Sequence, residues 1–281
     1  MDVCDLPSVT ALINTAFGED LGAGDLTTRL TIPPDRRARA EISAKVSAVI
    51  AGIPLIRKVC EIAGGGISVV ERVADGAVVS AGDVLAILAG PAQTLLAIER
   101  VILNFLQHLS GIATLTARFV DAVCPHRCRI VDTRKTTPGL RVLQKYAVRV
   151  GGGFNHRFRL DDGILIKNNH ITAAGGITPA VAAARAGAPH GVKVEVECST
   201  LDEVDEAVAA HAEILLLDNM SVDQMTEAVR RVAGRAILEA SGGVTLDNVR
   251  AIAATGVDII SIGALTHSAP AVDLHMTLFL E

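Results

Sequence analysis

The sequence predicts an α/β protein whose larger part is a parallel barrel carrying its site on one rim. Three observations predict it. From residue 129 onward, short apolar and mostly β-branched runs alternate with segments of helical spacing, roughly every twenty to thirty residues, the pattern of βα units on a parallel sheet. Each of those runs ends on a polar residue or a glycine. Trp is absent and Tyr146 is the single tyrosine, so the core is built from Ala, Val, Ile and Leu. That diet suits parallel layers, in which helices pack closely on buried strands.

The first third reads differently. "ARAEISAKVSAVIAG" is strand material, and "ERVADGAVVSAGDVLAILAG" gives short strands separated by Asp-Gly and Gly-Asp turns. The second stretch resembles the β-sandwich of biotinyl and lipoyl carriers. Those carriers present a modifiable lysine at a hairpin tip, and no lysine occurs between Lys58 and Lys135. "TLLAIERVILNFLQHLSGIATLTARFVDAV" then places apolar residues at helical spacing, interrupted by Gly111. It predicts two helices joined near Ser110-Gly111, bridging the domains.

The apolar runs of the second part are Ile130-Val131, Ile164–Ile166, Val192–Val196, Ile214–Leu217, Ala236–Leu238 and Ile259–Ile262. Thr178-Pro179 opens one intervening helix and Gly187 closes it. Thr200 with Glu203, and Ser221 with Gln224, form capping boxes for the next two, the second ending at Gly234. Thr245 is expected to cap a further helix that stops at Gly256. An open doubly wound sheet concentrates function at one switch point, whereas a barrel collects it from many strand ends. Here the successive runs deliver Arg134-Lys135, Lys167, Glu197, Asp218, Ser241-Gly242-Gly243 and Gly263, which favours the barrel.

Composition narrows the partners. The net charge is −5 and aromatic residues are scarce, so there is neither a global basic field nor a stacking platform for nucleic acid. The five cysteines are an odd number, and the opening "MDVCDLPSVT" has neither a basic n-region nor an apolar h-region. No apolar stretch reaches the ~20 residues needed to span a bilayer. The expectation is a cytoplasmic protein, with no membrane partner. Cys124 and Cys128 flank His126, but no second ligand pair stands at zinc-site spacing, so these read as ordinary thiols. Cys198 reads as a small buried thiol, and His108, His126, His190, His211 and His275 as packing or surface residues.

"GGGFNHRFRLDDGILIKNNH" concentrates His156, Arg157, Arg159, Lys167 and His170 within twenty residues. Lys167 closes what reads as a buried strand, where an ammonium has no use unless an anion meets it. The early strands thus supply cations, the middle ones Glu197 and Asp218, and the late ones small residues with exposed N–H groups. Arginines pair bidentately with planar carboxylates. Two carboxylates can hold Mg²⁺ together with water and substrate phosphates. Glycine loops after the last barrel strands cradle phosphate. The rim therefore expects a small polycarboxylate and a phosphorylated partner carried with a metal. Any one of these charges alone reads more readily as a surface ion pair, and Gly151-Gly152-Gly153 is no dinucleotide fingerprint.

"VDTRKTTPGLR", "GGGFNHRFRLDDGILIKNNH", "VEVEC", "LLLDN", "EASGGV" and "DIISIGALTHSAP" resemble, in order, the motif series of quinolinate phosphoribosyltransferase, and "ERVILNFLQHLSGIAT" and "EDLGAGDLTT" resemble its interdomain helix and N-terminal segment. The resemblance covers nearly the whole chain. It implies a type II phosphoribosyltransferase fold: an N-terminal α/β sandwich with the bridging helix (1–110), an incomplete TIM-like α/β barrel (111–266), and a C-terminal segment (267–281) returning to the N-terminal domain. It implies that quinolinate and 5-phosphoribosyl 1-pyrophosphate (PRPP) give nicotinate mononucleotide, pyrophosphate and CO2, for NAD synthesis. It implies a homodimer with shared sites, alone or stacked into hexamers.

Residue by residue, the resemblance puts Arg134, His156, Arg157 and Lys167 around the quinolinate carboxylates, with Arg100 reaching in from the neighbouring subunit. It puts Lys135 near the pyrophosphate as a catalytic group, and Glu197 and Asp218 at the ribose hydroxyls and Mg²⁺. Ser241, Gly242, Gly243, Gly263 and His267 fall on the loops that hold the 5-phosphate. Asn168 stands where many relatives have Asp, which keeps the shape and removes a charge. The rival readings are a phosphoribosyltransferase of the same fold acting on nicotinate or another acceptor, and a non-catalytic anion-binding barrel. The number of cations argues for a dianion, and the intact acidic pair argues for catalysis.

Overall fold

The computed structural model describes residues 3–280. Along the chain, α1 (Pro7–Leu21), α2 (Leu26–Thr31), β1 (Arg37–Ala44), β2 (Ala48–Val49), α3 (Ile53–Ala63), β3 (Ser68–Glu71), β4 (Val78–Val79) and β5 (Val84–Pro91) lead into the long helix α4 (Ala92–Val123). Next come β6 (Arg129–Val131), α5 (Arg141–Val150), β7 (Ile164–Ile166), α6 (Asn168–Ala174), α7 (Ile177–Gly187), β8 (Val194–Cys198) and α8 (Leu201–Ala209). The chain ends with β9 (Ile214–Asp218), α9 (Val222–Val232), β10 (Ile237–Ser241), α10 (Val249–Ala254), β11 (Ile259–Ser261), α11 (Ala264–His267) and β12 (Leu274–Leu280). Two compact units result. The first takes the chain through Ala117, Thr137–Gly152 and everything from Thr266 on; the second takes Arg118–Thr136 and Gly153–Leu265.

The first unit is built on an antiparallel sheet of order β12-β1-β5-β3. β1 alternates as a strand covered on one face should: Ala38, Ala40 and Ile42 are fully buried at period two. Its outer partner is the C-terminal strand, in register from Ala38 opposite Leu280 to Ala44 opposite Leu274. Helix α4 supplies Leu95, Ile98, Ile102, Leu106 and Leu109, buried at helical spacing. α4 is long and apolar enough to cross a membrane, but 56% of its apolar window is buried within the protein, as in a core helix.

The break expected at Ser110-Gly111 does not occur, because α4 runs uninterrupted from Ala92 to Val123. Gly111 serves a close approach instead. A Cβ there would lie 3.0 Å from the Pro270 carbonyl carbon and 3.3 Å from Ala271 Cα.

The second unit holds a six-stranded, all-parallel sheet of order β6-β11-β10-β9-β8-β7. Every residue of β8 is buried, as expected for a strand covered on both faces. The sheet curls into an incomplete TIM-like barrel. Phe154 forms a parallel bridge beside Val131 at the β6 edge. Two residues on, His156 Nε2 lies 3.2 Å from Glu195 Oε2 on β8, near the opposite edge of the sheet order. A flat sheet would hold those positions many strand spacings apart.

Both capping boxes are present, on α8 and α9. Two expected starts move. Gly176 is the N-cap of α7, and Asn248 that of α10. Asn248 Oδ1 accepts from the Thr245 N–H at 2.8 Å, so Thr245 lies in the turn before the helix and does not cap it.

Candidate active site

The site is assembled where β6 to β11 end. β6 runs into Asp132, which is fully buried. Its carboxylate accepts from the His156 N–H at 2.9 Å and from Asn155 Nδ2 at 2.5 Å, pinning the Asn-His-Arg segment to the end of the first barrel strand. The Arg157 N–H donates to His156 Nδ1 at 2.7 Å, so the ring proton sits on Nε2, facing Glu195. Arg157 Nη1 donates to the Gly163 carbonyl at 2.7 Å. Burial holds that guanidinium below its ordinary pKa, and the nearby Arg134 adds to the effect, while Glu195 opposes it.

β7 runs into Lys167, the N-cap of α6, whose N–H donates to His170 Nδ1 at 2.9 Å. His170 therefore helps start α6. The Lys167 ammonium is half exposed and donates to Glu197 Oε2 at 3.0 Å. This corrects the expectation of a buried ammonium lacking an anion. Strand β8 supplies the counter-charge, because Glu197 stands on the strand hydrogen-bonded to β7. Arg159, by contrast, is exposed and paired with Asp161.

A cavity of about 310 Å³ opens over these ends. Its wall brings together Arg134, Lys135, His156, Arg157, Lys167, Glu197, Asp218 and Ser241, and Leu165, Leu216, Glu239 and Ser261 also line it. Gly242, Gly243 and Gly263 follow β10 and β11 without joining that wall. Gly242 and Gly243 have φ of 94° and 60°. A Cβ on Gly242 would strike the Asn219 carboxamide, whose own backbone N–H donates to the Ser241 carbonyl at 2.9 Å. Arg100 on α4 and His267 on α11 belong to the first unit.

Sequence reasoning missed Asp132, Glu195 and Glu239. The two glutamates are almost completely buried and, with His156, keep their ligand-type atoms within 4.8 Å of one another. Their signal was a charged residue inside an apolar strand, in "VEVEC" and in "ILEAS". His156 uses its Nδ1 lone pair on Arg157 and carries hydrogen on Nε2, so it presents a donor to the carboxylates, with no lone pair for a cation.

Burial first, then the Glu195 charge, push the Glu239 carboxyl up from 4.5 to about 7, against the pull of His156, a Ser261 hydrogen bond and Lys167. The folded chain thus holds a proton that the unfolded chain has lost between those two values. Glu239 therefore costs stability as pH rises through that window. Relative to Glu239→Gln, the wild type should lose on the order of 2–3 kcal/mol between pH 4.5 and 7.5. Urea unfolding midpoints of the two proteins across that range check it; a constant difference would refute the raised pKa.

An incomplete barrel whose rim gathers four cations and two acids in one cavity, with glycine turns following its late strands, is built for anionic substrates. The chain matches the quinolinate phosphoribosyl transferase C-terminal domain over residues 112–277 and the N-terminal domain over 25–110. It belongs to the quinolinate phosphoribosyl transferase family. It is 44% identical to the probable nicotinate-nucleotide pyrophosphorylase [carboxylating] of Bacillus subtilis, over 96% of this chain and 93% of that one. Identity to the corresponding Mycobacterium leprae protein is 43%, covering 98% of this chain and 99% of that one. The crystal structure of NadC from Streptococcus pyogenes superimposes with a TM-score of 0.94, at 40% identity and 99% coverage of both chains.

Proposed function

We infer that this chain is a decarboxylating quinolinate phosphoribosyltransferase. It transfers the phosphoribosyl group of PRPP to quinolinate and releases CO2, making nicotinate mononucleotide for NAD synthesis. The observation that carries this reading is the single cavity in which Arg134, Arg157, Lys167 and Lys135 meet Glu197 and Asp218. So many cations suit a pyridine dicarboxylate beside a pyrophosphorylated sugar. A nicotinate acceptor, with one carboxylate, would need fewer.

In this reading Arg134, Arg157 and Lys167 hold the two carboxylates, and His156 lies beside them. Bidentate guanidinium contacts fix the plane of the ring, which aims the pyridine nitrogen at the anomeric carbon and removes much of the entropic barrier. Loss of pyrophosphate leaves positive charge on the ribose. Glu197 and Asp218 stabilise that charge, while Lys135 stabilises the departing anion. Ser241 and the turns at Gly242, Gly243 and Gly263 receive the 5-phosphate. The new N-glycosidic bond makes the ring nitrogen cationic. That cation accepts the electron pair left when the 2-carboxylate leaves, so no separate electron-sink cofactor is required.

Glu197 and Asp218 lie on neighbouring strands and present hard carboxylate oxygens to the cavity, a donor set suited to Mg²⁺ completed by water and phosphate. When bound there, Mg²⁺ would neutralise charge on the pyrophosphate. Glu197 also pairs with Lys167, which favours contact through water. The reading extends to a cytoplasmic homodimer, or stacked dimers, in which Arg100 serves the neighbour's site.

The test is to follow CO2 and pyrophosphate from quinolinate and PRPP, with Mg²⁺ and with chelator, and to repeat it with nicotinate. Equimolar CO2 and pyrophosphate from quinolinate, lost on chelation, is the expected result. Turnover of nicotinate with none of quinolinate would replace this reading by its rival.

A further inference from the structure

Glu239 occupies an unusual place. It is 2% exposed, yet it lines two cavities. One is the active-site cavity. The other, about 580 Å³, is also lined by His156 and Glu195, and its wall combines Ile164, Ile214 and Ile259 with the polar Asn155, Asp162 and Lys193. The groups facing Glu239 come from the surrounding elements: Glu195 from β8, His156 from the segment after Phe154, Ser261 from β11 and Lys167 from the residue that follows β7. Glu195 Oε1 and Glu239 Oε1 are buried and accept no hydrogen bond. Two ionised carboxylates so placed would repel, and each bare oxygen would want a donor. A proton on one of the two removes the repulsion. His156 already gives its N–H to Glu195 and stands 3.7 Å from Glu239, so the proton belongs on Glu239.

We propose that Glu239 is the acid that protonates C2 of the pyridine ring once CO2 has left, and that it reloads from water in the second cavity. This rests on the function proposed above and names a group that reading leaves unassigned. The bond from C2 to its carboxylate carbon breaks, CO2 departs, and the electron pair remains on C2 beside the cationic nitrogen. The Glu239 O–H bond then breaks as the C2–H bond forms. Glu239 is left a carboxylate, and a solvent proton restores it, so each turnover consumes one proton. The other groups on the wall suit this step less. Arginines do not release protons. Lys167 donates to Glu197, and Lys135 is assigned to the pyrophosphate. Without a nearby acid the C2 carbanion recaptures CO2, so protonation commits the decarboxylation.

Glu239→Gln keeps the shape and removes the acid. In a single turnover with carboxyl-labelled quinolinate and limiting PRPP, pyrophosphate release should stay within about threefold of wild type. CO2 release should fall about 10²–10⁴-fold, the range for a lost general acid, and acid quench should trap quinolinate mononucleotide. Equal loss of both products, or no loss of either, overturns the proposal. Should the variant fail to fold, the wild type in D2O decides. A solvent isotope effect of about 2 or more on nicotinate mononucleotide, absent from pyrophosphate release, supports it. Equal effects on both, or none, overturn it. A wild type that forms neither pyrophosphate nor CO2 would instead overturn the proposed function.

Discussion

Lys135→Ala is expected to lower turnover about 10²–10³-fold while leaving stability within about 0.5 kcal/mol of wild type. The residue sits just past β6, on the cavity wall, with its side chain exposed. Its backbone N–H donates to Thr133 Oγ1 at 3.0 Å, a contact that alanine keeps. The exposed ammonium lies outside the buried core. Its proposed work is done in the transition state, when negative charge grows on the departing pyrophosphate. A group acting only there lowers kcat and kcat/KM equally, whereas a group that merely helps PRPP bind raises KM. Steady-state kinetics with urea unfolding of the same preparation separate these cases. Turnover within twofold of wild type, in a folded protein, would remove Lys135 from the mechanism.

The parts of this fold readable in the sequence are those whose cause is local. The boxes at Thr200–Glu203 and Ser221–Gln224 close within one turn, so their residue types alone announce them. The strand ends are readable because a charge directly after an apolar run has few places to go in a parallel barrel. What stayed hidden depends on residues distant in sequence. The pairing of Lys167 with Glu197 follows from β7 lying beside β8, and β8 comes after two intervening helices. Glu195 and Glu239 meet His156 only once the sheet curls, so "VEVEC" and "ILEAS" each look like a strand carrying one charge too many. Asp132 was hidden in the same way, since its partners Asn155 and His156 arrive from beyond α5. Gly111 misled because glycine in a helical pattern ordinarily signals a weak point.

That glycine yields a prediction opposite in sign to helix propensity. In an exposed helix interior, Gly→Ala gains up to about 1 kcal/mol. At Gly111 it should cost roughly 2–4 kcal/mol, because the new methyl meets backbone that has nowhere to go. The Pro270 carbonyl carbon would be 3.0 Å away and Ala271 Cα 3.3 Å. That segment is tied to the same helix just beyond the contact, by the Val272 N–H to the Gln107 carbonyl at 3.0 Å and by Gln107 Nε2 to the Leu274 carbonyl at 2.8 Å. From Leu274 the chain is committed to its register on β1, so relief at Pro270 would have to be taken from the edge of the sheet. Gly18 supplies the control. It lies inside α1, and a Cβ there meets nothing within 4 Å. Gly18→Ala should therefore stabilise by about 0.5–1 kcal/mol. Urea unfolding midpoints of the two variants should move in opposite directions. If both rise, the approach of the C-terminal segment to α4 is looser than these distances, and Gly111 is there for some reason other than space.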